Sequence, residues 1–237
     1  MDSGKMIAMR LDQFLVKSDI GSRSEVKKLV KAGRVCVGDA VVRDPSVHID
    51  ENTDAVTLDG AAVVYEKFRY YMLNKPAGYV SATQDGQCAT VIDLLDGVCK
   101  KDLFPVGRLD KDTEGLLLIT NNGKLSHELL SPSHHVDKKY YVCTDRMIGA
   151  EEKKAFEKGL DIGDDKPTLP ANIEETDNGY IVTIREGRFH QIKRMFSALG
   201  AEVTFLKRLS MGGLVLDESL LPGQFRPLTA DEIKNLF

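Results

Sequence analysis

Gly107-Arg108-Leu109-Asp110-Lys111-Asp112-Thr113-Glu114-Gly115, running on into Leu116-Leu117-Leu118-Ile119, is the stretch on which the reading of this chain turns. Two glycines bracket a charged loop, and the loop feeds an apolar run with the length of a buried strand. A charged loop at the edge of a rigid strand commonly projects a reactive side chain. Asp110, Asp112, Glu114 and Gly115 also suggest a calcium loop. That reading fails, because the twelfth position is Asn121 where a bidentate Glu is needed, and apolar residues fill the positions before it. A plain surface turn would not need the buried strand that follows. The third reading is a nucleophilic carboxylate carried by this loop.

Outward from this loop, the chain reads as two units joined near residues 64–69, with expected bounds of 9–66 and 67–237. In the second unit the patterns predict strands over Tyr70–Leu73, Leu116–Thr120, Lys139–Thr144, Tyr180–Arg185, Val203–Leu209 and Gly213–Leu216. They predict helices over Thr90–Leu95, Lys124–Leu130, Glu151–Lys158 and Phe189–Leu199, with Gly200 as a stop. Asn121-Asn122-Gly123 reads as a hairpin-like turn. Irregular spacing of this kind implies an α+β fold with a mixed, mostly antiparallel sheet flanked by helices.

The first unit opens with a short helix over 10–17, carrying Leu11, Phe14 and Leu15 on one face. Ser22-Arg23-Ser24-Glu25 is a capping box, opening a helix whose apolar face is Val26, Leu29 and Val30, with Gly33 as its C-terminal cap. Arg23, Lys27, Lys28 and Lys31 fall on another face. Short strands follow at Val35–Val37 and Val41–Arg43 about Gly38-Asp39, then at Val56–Leu58 and Ala61–Val63 about Asp59-Gly60.

The net charge of −4 conceals local bias. Residues 10–34 hold seven Lys/Arg against three acids, and residues 185–208 hold six against two. Local patches govern phosphate contact, so the mean does not exclude RNA. Cys36, Cys88, Cys99 and Cys143 form no CxxC pair and no zinc spacing, as in a reduced cytoplasmic protein, and no metal site is expected. No apolar run approaches the roughly 20 residues that span a bilayer, and MDSGKMIAMR lacks the apolar segment of a signal peptide. Residues before Met9 are given no role. Adjacent His134-His135 diverge in direction and have no third ligand nearby, so they point to RNA contact or packing; His48 and His127 carry no functional reading.

The first unit, from Met9-Arg10-Leu11-Asp12 through Ser22-Arg23-Ser24 and Gly33-Arg34-Val35 to Val37, resembles the S4 RNA-binding domain. That implies that its basic residues Arg10, Arg23, Lys27, Lys28, Lys31 and Arg34 lie against RNA phosphates. In the second unit, GRLDKDTEGLLLITNNG is similar to the signature loop of the ribosomal small-subunit type (RsuA-like) pseudouridine synthases. Leu73-Asn74-Lys75-Pro76-Ala77-Gly78-Tyr79, Lys138-Lys139-Tyr140-Tyr141-Val142 and the segment from Glu186-Gly187-Arg188 to Lys193-Arg194-Met195-Phe196 resemble three further motifs of that family, in order.

The resemblance implies a cofactor-free isomerisation of uridine to pseudouridine in ribosomal RNA, with 16S rRNA and its position 516 favoured and the large-subunit 23S RNA as the alternative. Ser131-Pro132-Ser133-His134-His135 resembles the small-subunit enzyme. Asp110 maps onto the family's nucleophile, and Tyr140 onto the aromatic that receives the flipped base and shares in removal of the C5 proton. Tyr141 points the other way if the segment is a strand. Arg108, Lys193 and Arg194 are the candidate cations that keep Asp110 ionised, with Lys193 and Arg194 equivalent at this level. Lys75, Arg188, His190 and Gln191 are expected at the RNA. The expected partner is rRNA in an assembling particle, bound by a monomer and without a membrane. A non-catalytic assembly factor is the competing class, and an S4-bearing methyltransferase is disfavoured because no glycine-rich cofactor loop follows a strand.

Overall fold

The computed structural model describes residues 8–131 and 134–236. Residues 1–7, to which no role is assigned, and Pro132 and Ser133 of the small-subunit-like segment lie outside them. The chain divides into two compact units that meet at Lys67 and Phe68.

The first unit runs β1 (Ala8–Arg10), α1 (Leu11–Lys17), α2 (Arg23–Lys31), β2 (Val35–Val37), β3 (Ala40–Val42), β4 (His48–Asp50), β5 (Val56–Leu58) and β6 (Ala61–Ala62). The capping box at the head of α2 is formed: Glu25 N–H donates to the Ser22 hydroxyl, and Ser22 N–H donates to the Glu25 carboxylate at 2.8 Å. Such a cap contributes about 1 kcal/mol. Leu11, Phe14, Leu15, Val26 and Val30 bury against Val35 and Val56 of the small sheet β3-β2-β5-β6. β1 and β4, absent from the sequence reading, pair with each other; at three residues each they are too short to show a period.

The second unit runs β7 (Tyr70–Lys75), β8 (Phe104–Pro105), β9 (Glu114–Thr120), α3 (Gly123–Leu130), β10 (Lys138–Thr144), α4 (Ala150–Lys158), β11 (Asn172–Thr176), β12 (Gly179–Ile184), α5 (Gln191–Ser197), β13 (Val203–Met211), β14 (Leu214–Val215), β15 (Phe225–Pro227) and α6 (Ala230–Lys234). One sheet in the order β11-β12-β10-β13-β9-β7-β15 carries it, with β14 on β13 and β8 on β9. Every pairing is antiparallel except β13 with β9. The mixed, mostly antiparallel α+β architecture is therefore as the sequence pattern reads.

β9 is an interior strand, between β13 and β7, and is buried on both faces, which explains its unbroken apolar run. Leu117 and Ile119 face a core shared with Phe156 of α4, Phe196 of α5 and Tyr180 of β12. Leu116 and Leu118 face a second core with Leu129 of α3, Met211 and Leu236.

Three local expectations are corrected. Residues 91–94 form turns, not an α-helix: the backbone closes over three residues, Asp93 N–H donating to Thr90 O at 3.1 Å and Leu95 N–H to Ile92 O at 3.2 Å. Asn122 does not turn a hairpin; its side chain accepts the Leu125 N–H and caps α3. α5 starts two residues later than expected, since His190 is left-handed with φ of 49°.

The registers align Tyr140 with Arg208, Arg208 with Gly115, and Gly115 with Lys75 in one row across four strands. Gly115 has φ of 98°, and a Cβ there would sit 2.2 Å from the Arg208 carbonyl oxygen. Gly115→Ala is expected to lower unfolding free energy by about 3 kcal/mol or more. Gly123→Ala, in open space at the first residue of α3, should raise it by about 0.4–1 kcal/mol. Urea denaturation of both variants measures the contrast, and equal effects would contradict the crowding argument.

Candidate active site

The loop ahead of β9 is fixed on every side. The Ser81 hydroxyl donates to Leu109 O at 2.9 Å and accepts Leu109 N–H at 3.0 Å. Gly78 N–H donates to Lys111 O at 2.8 Å, and Thr113 N–H to Asp110 O at 3.1 Å. Lys75, 0% exposed, donates from Nζ to Thr113 O at 2.8 Å, Lys111 O at 3.1 Å and Pro76 O at 3.0 Å. Arg208, 2% exposed, donates from Nε to Leu116 O at 2.7 Å. The polypeptide is thus rigid where it presents Asp110.

Lys75 does not meet phosphate as expected. It is a buried structural cation, and the reason is its inward position on β7, whose partner strand brings the loop carbonyls around it. Burial lowers its ammonium from 10.5 to about 8, against the pull of the nearby carboxylates of Asp112, Asp110 and Glu114.

Asp110 opens onto a cavity of about 630 Å³, with Tyr140, Arg108, His190 and Arg208 among its walls. The Asp110 side chain is 24% exposed, with Lys193 Nζ 3.4 Å from one oxygen and His190 Nε2 3.5 Å from the other. Lys193 also binds both oxygens of Asp112, at 2.6 and 2.7 Å, and holds that carboxyl below its usual range. One ammonium therefore spans two carboxylates. Lys193 reaches the site because α5 buries Ile192, Met195 and Phe196 and turns the intervening lysine towards the loop.

The structure separates the two cations left open by the sequence. Arg194 is turned away from Asp110, bonding Asp164 at 2.5 Å and the Ile162 carbonyl. Arg108 is exposed on the cavity wall, and among the described residues the ion pair of Asp110 goes to Lys193 instead, with His190 Nε2 nearby. Tyr140 is buried on the cavity side, whereas Tyr141 bonds Asn178 O at 3.3 Å on the other.

Two further residues expected at the RNA bond within the protein, Arg188 while still lining the cavity and Gln191 while buried. Arg188 is held by Glu186, Asp164 and the carbonyls of Lys166 and Pro167. Gln191 is buried, donating to Glu186 at 3.0 Å and accepting Arg188 N–H at 3.0 Å, so it ties the preceding loop to α5. His190 stays at the cavity. His134 and His135 are exposed and line a separate depression with Asp137 and Arg185. In the first unit Arg23, Lys27, Lys28 and Lys31 are exposed, while Arg10 pairs with Asp12 at 2.9 Å and Arg34 with Asp59.

Sequence reasoning missed Ser81, Lys138 and Arg208. Lys138 is buried on the cavity wall, its ammonium lowered by burial and by the neighbouring charge of Arg208. A signal for Arg208 was present: it shares the inward parity of β13 with Leu206 and Ser210, an unusual place for an arginine.

Two family profiles match the chain, the S4 domain over residues 9–54 and RNA pseudouridylate synthase over residues 69–198. A Bacillus subtilis protein named an uncharacterized RNA pseudouridine synthase is 47% identical over 95% of this chain and 97% of its own length. The chain belongs to the pseudouridine synthase family. Vibrio cholerae ribosomal small subunit pseudouridine synthase A is 40% identical over 97% of this chain and its own full length. A crystal structure described as a pseudouridylate synthase superposes with a TM-score of 0.69 at 37% identity, over 97% of this chain. This pseudouridine synthase accordingly acts on RNA, through an S4 domain and an isomerase unit. Among the described residues no helix is long and apolar enough to cross a membrane.

The lowered ammonium of Lys75 gives a pH test. Between about pH 8 and 10.5 the unfolded chain keeps a proton that the folded enzyme has released, so stability rises with pH across that window. Below about pH 8 the buried charge costs about 3 kcal/mol, which disappears towards pH 10.5. Lys75→Met removes the titration. Urea unfolding from pH 7 to 10 should show the wild type gaining on Lys75→Met, and a constant gap would contradict the assignment.

Proposed function

We propose that this enzyme converts one uridine of 16S ribosomal RNA to pseudouridine, at the position equivalent to 516, acting as a cytoplasmic monomer on an assembling small subunit. The observation that carries the reading is the Asp110 carboxylate, pinned by its loop beside Lys193 and sharing a cavity with Tyr140. The names and near-complete coverage of the ribosomal small-subunit relatives support the choice of RNA.

In this reading residues 9–66 hold the RNA backbone through Arg23, Lys27, Lys28 and Lys31, and residues 67–237 do the chemistry. The target uridine leaves its stack, and its base enters the cavity against Tyr140. The bond from N1 to C1′ breaks, the uracil turns, and C5 bonds to C1′; C5 gives up a proton and N1 gains one. Asp110, ionised beside Lys193, supplies the carboxylate that adds to the nucleotide and divides a difficult step into easier ones. Tyr140 lies where it can share in removing the C5 proton. Lys193 is the cation in contact with Asp110, and Arg108 meets the displaced RNA strand at the cavity wall.

Asp110→Asn is expected to abolish pseudouridine formation with little change in RNA affinity. Lys193→Met should lower kcat on the order of 100-fold, and Lys193→Arg less, because only the former removes the charge beside the carboxylate. Carbodiimide-stop primer extension on 16S and 23S rRNA from cells lacking the protein identifies the target. Loss of a stop in 16S supports the proposal, loss only in 23S overturns the choice of RNA, and unchanged modification everywhere overturns the enzymatic reading in the cell. Assays on free transcript and partly assembled subunits side by side test the particle.

Neutralising Lys27, Lys28 and Lys31 together should weaken RNA binding and flatten the dependence of log affinity on log salt by roughly 0.7–0.9 per lost phosphate contact. A salt slope identical to wild type would remove this face from the RNA interface.

A further inference from the structure

Phe189 is 74% exposed, the most exposed large apolar side chain among the described residues, and it stands at the wall of the Asp110 cavity. Its ring is stacked on that of His190, centroids 3.8 Å apart and planes 17° from parallel. His190 in turn approaches Asp110 at 3.5 Å. The two rings form a slab that begins at the reactive carboxylate and ends in solvent.

The backbone is bent to make this slab. His190 takes φ of 49°, a left-handed conformation uncommon for a residue with a side chain, and α5 begins only after it. A helix continued back through 189 would leave the apolar stripe of α5 unchanged, since Ile192, Met195 and Phe196 already supply it. The strain is therefore not explained by packing. The buried Gln191 holds the segment in place, its side chain accepting the Arg188 N–H at 3.0 Å.

We propose that the Phe189–His190 stack is a second base-binding subsite, beside the one that takes the extruded uridine, and that it receives an unpaired nucleobase adjacent to the target. The inference rests on reading the Asp110 cavity as the place of uridine isomerisation. An open aromatic face prefers a flat aromatic partner at offset stacking distance. The exposed cations Arg108 and Lys111 line the same cavity and suit the flanking phosphates. Stacking is tolerant of base identity, so the subsite adds affinity and fixes the register of the strand without reading its sequence. It selects for substrates whose target lies in an unpaired segment, because a base held in a helix cannot present its face.

The test uses the full-length enzyme and a transcript of the rRNA segment found to be modified. Phe189→Ala is expected to weaken binding roughly 5- to 150-fold, the range of one lost base–aromatic stack, with the loss falling on KM rather than kcat. Phe189→Trp and Phe189→Tyr should restore the wild-type value. The transcript is then made with an abasic site at each position flanking the target. At one of them wild-type affinity should fall to that of Phe189→Ala, and Phe189→Ala should lose nothing further. Wild-type affinity in Phe189→Ala, or a Phe189→Ala defect that persists undiminished on every abasic transcript, would overturn the proposal. Pseudouridine release by the wild type on the intact transcript separately checks the underlying reading. If none forms while the coupling with an abasic site is seen, the isomerisation reading fails and the subsite stands as an RNA contact.

Discussion

The crossing of Gly115 and Arg208 sets the geometry of the whole catalytic unit. Among the described residues it is the one parallel strand pairing in an otherwise antiparallel sheet, and the backbones approach so closely there that no side chain fits at Gly115. From that point the register places Tyr140 on one side and Lys75 on the other. The row brings together an aromatic wall, a buried guanidinium and a buried ammonium, and the loop ahead of Gly115 presents Asp110 to the same cavity. Relaxing this crossing would disperse groups that come from four different strands.

Charge within the site is arranged in two tiers. Lys75 and Arg208 are buried; Lys75 donates to carbonyls of the loop that carries the carboxylate, and Arg208 donates from Nε to Leu116 O of β9. Lys193 is half-exposed and is shared between Asp110 and Asp112, the more solvent-exposed Asp112 taking the shorter bonds. Asp112 thereby steadies the cation without confining Asp110, whose oxygens stay open to the cavity. Arg108, Lys111, Lys138, Arg185, Arg188 and Arg208 line the cavity and give it a local character that the net charge of −4 conceals.

What could be read from the sequence was what local chemistry decides. The capping box at Ser22–Glu25, the buried run of β9 and the opposed directions of Tyr140 and Tyr141 follow from period and from side-chain hydrogen bonding. Lys75 and Gln191 are buried by strands and loops distant in sequence, which composition cannot register. Arg194 and Lys193 are adjacent on α5, and the positions of Asp164 and the Ile162 carbonyl, distant in sequence, decide that Lys193 is the one at Asp110. The edge strands β11 and β15 escaped notice for physical reasons: Asn172–Thr176 is polar and exposed, and β15 ends in a proline.

The central claim is that Asp110 and Tyr140 face one extruded uridine within a single cavity. A crystal structure of the enzyme with an RNA stem-loop bearing 5-fluorouridine at the target tests it most directly, since fluorine in place of the C5 hydrogen blocks the final proton loss. The account predicts the fluorinated base turned out of its stack against Tyr140, with C1′ beside an Asp110 oxygen. A base seated elsewhere, with Lys193 and His190 still closed over Asp110, would contradict it.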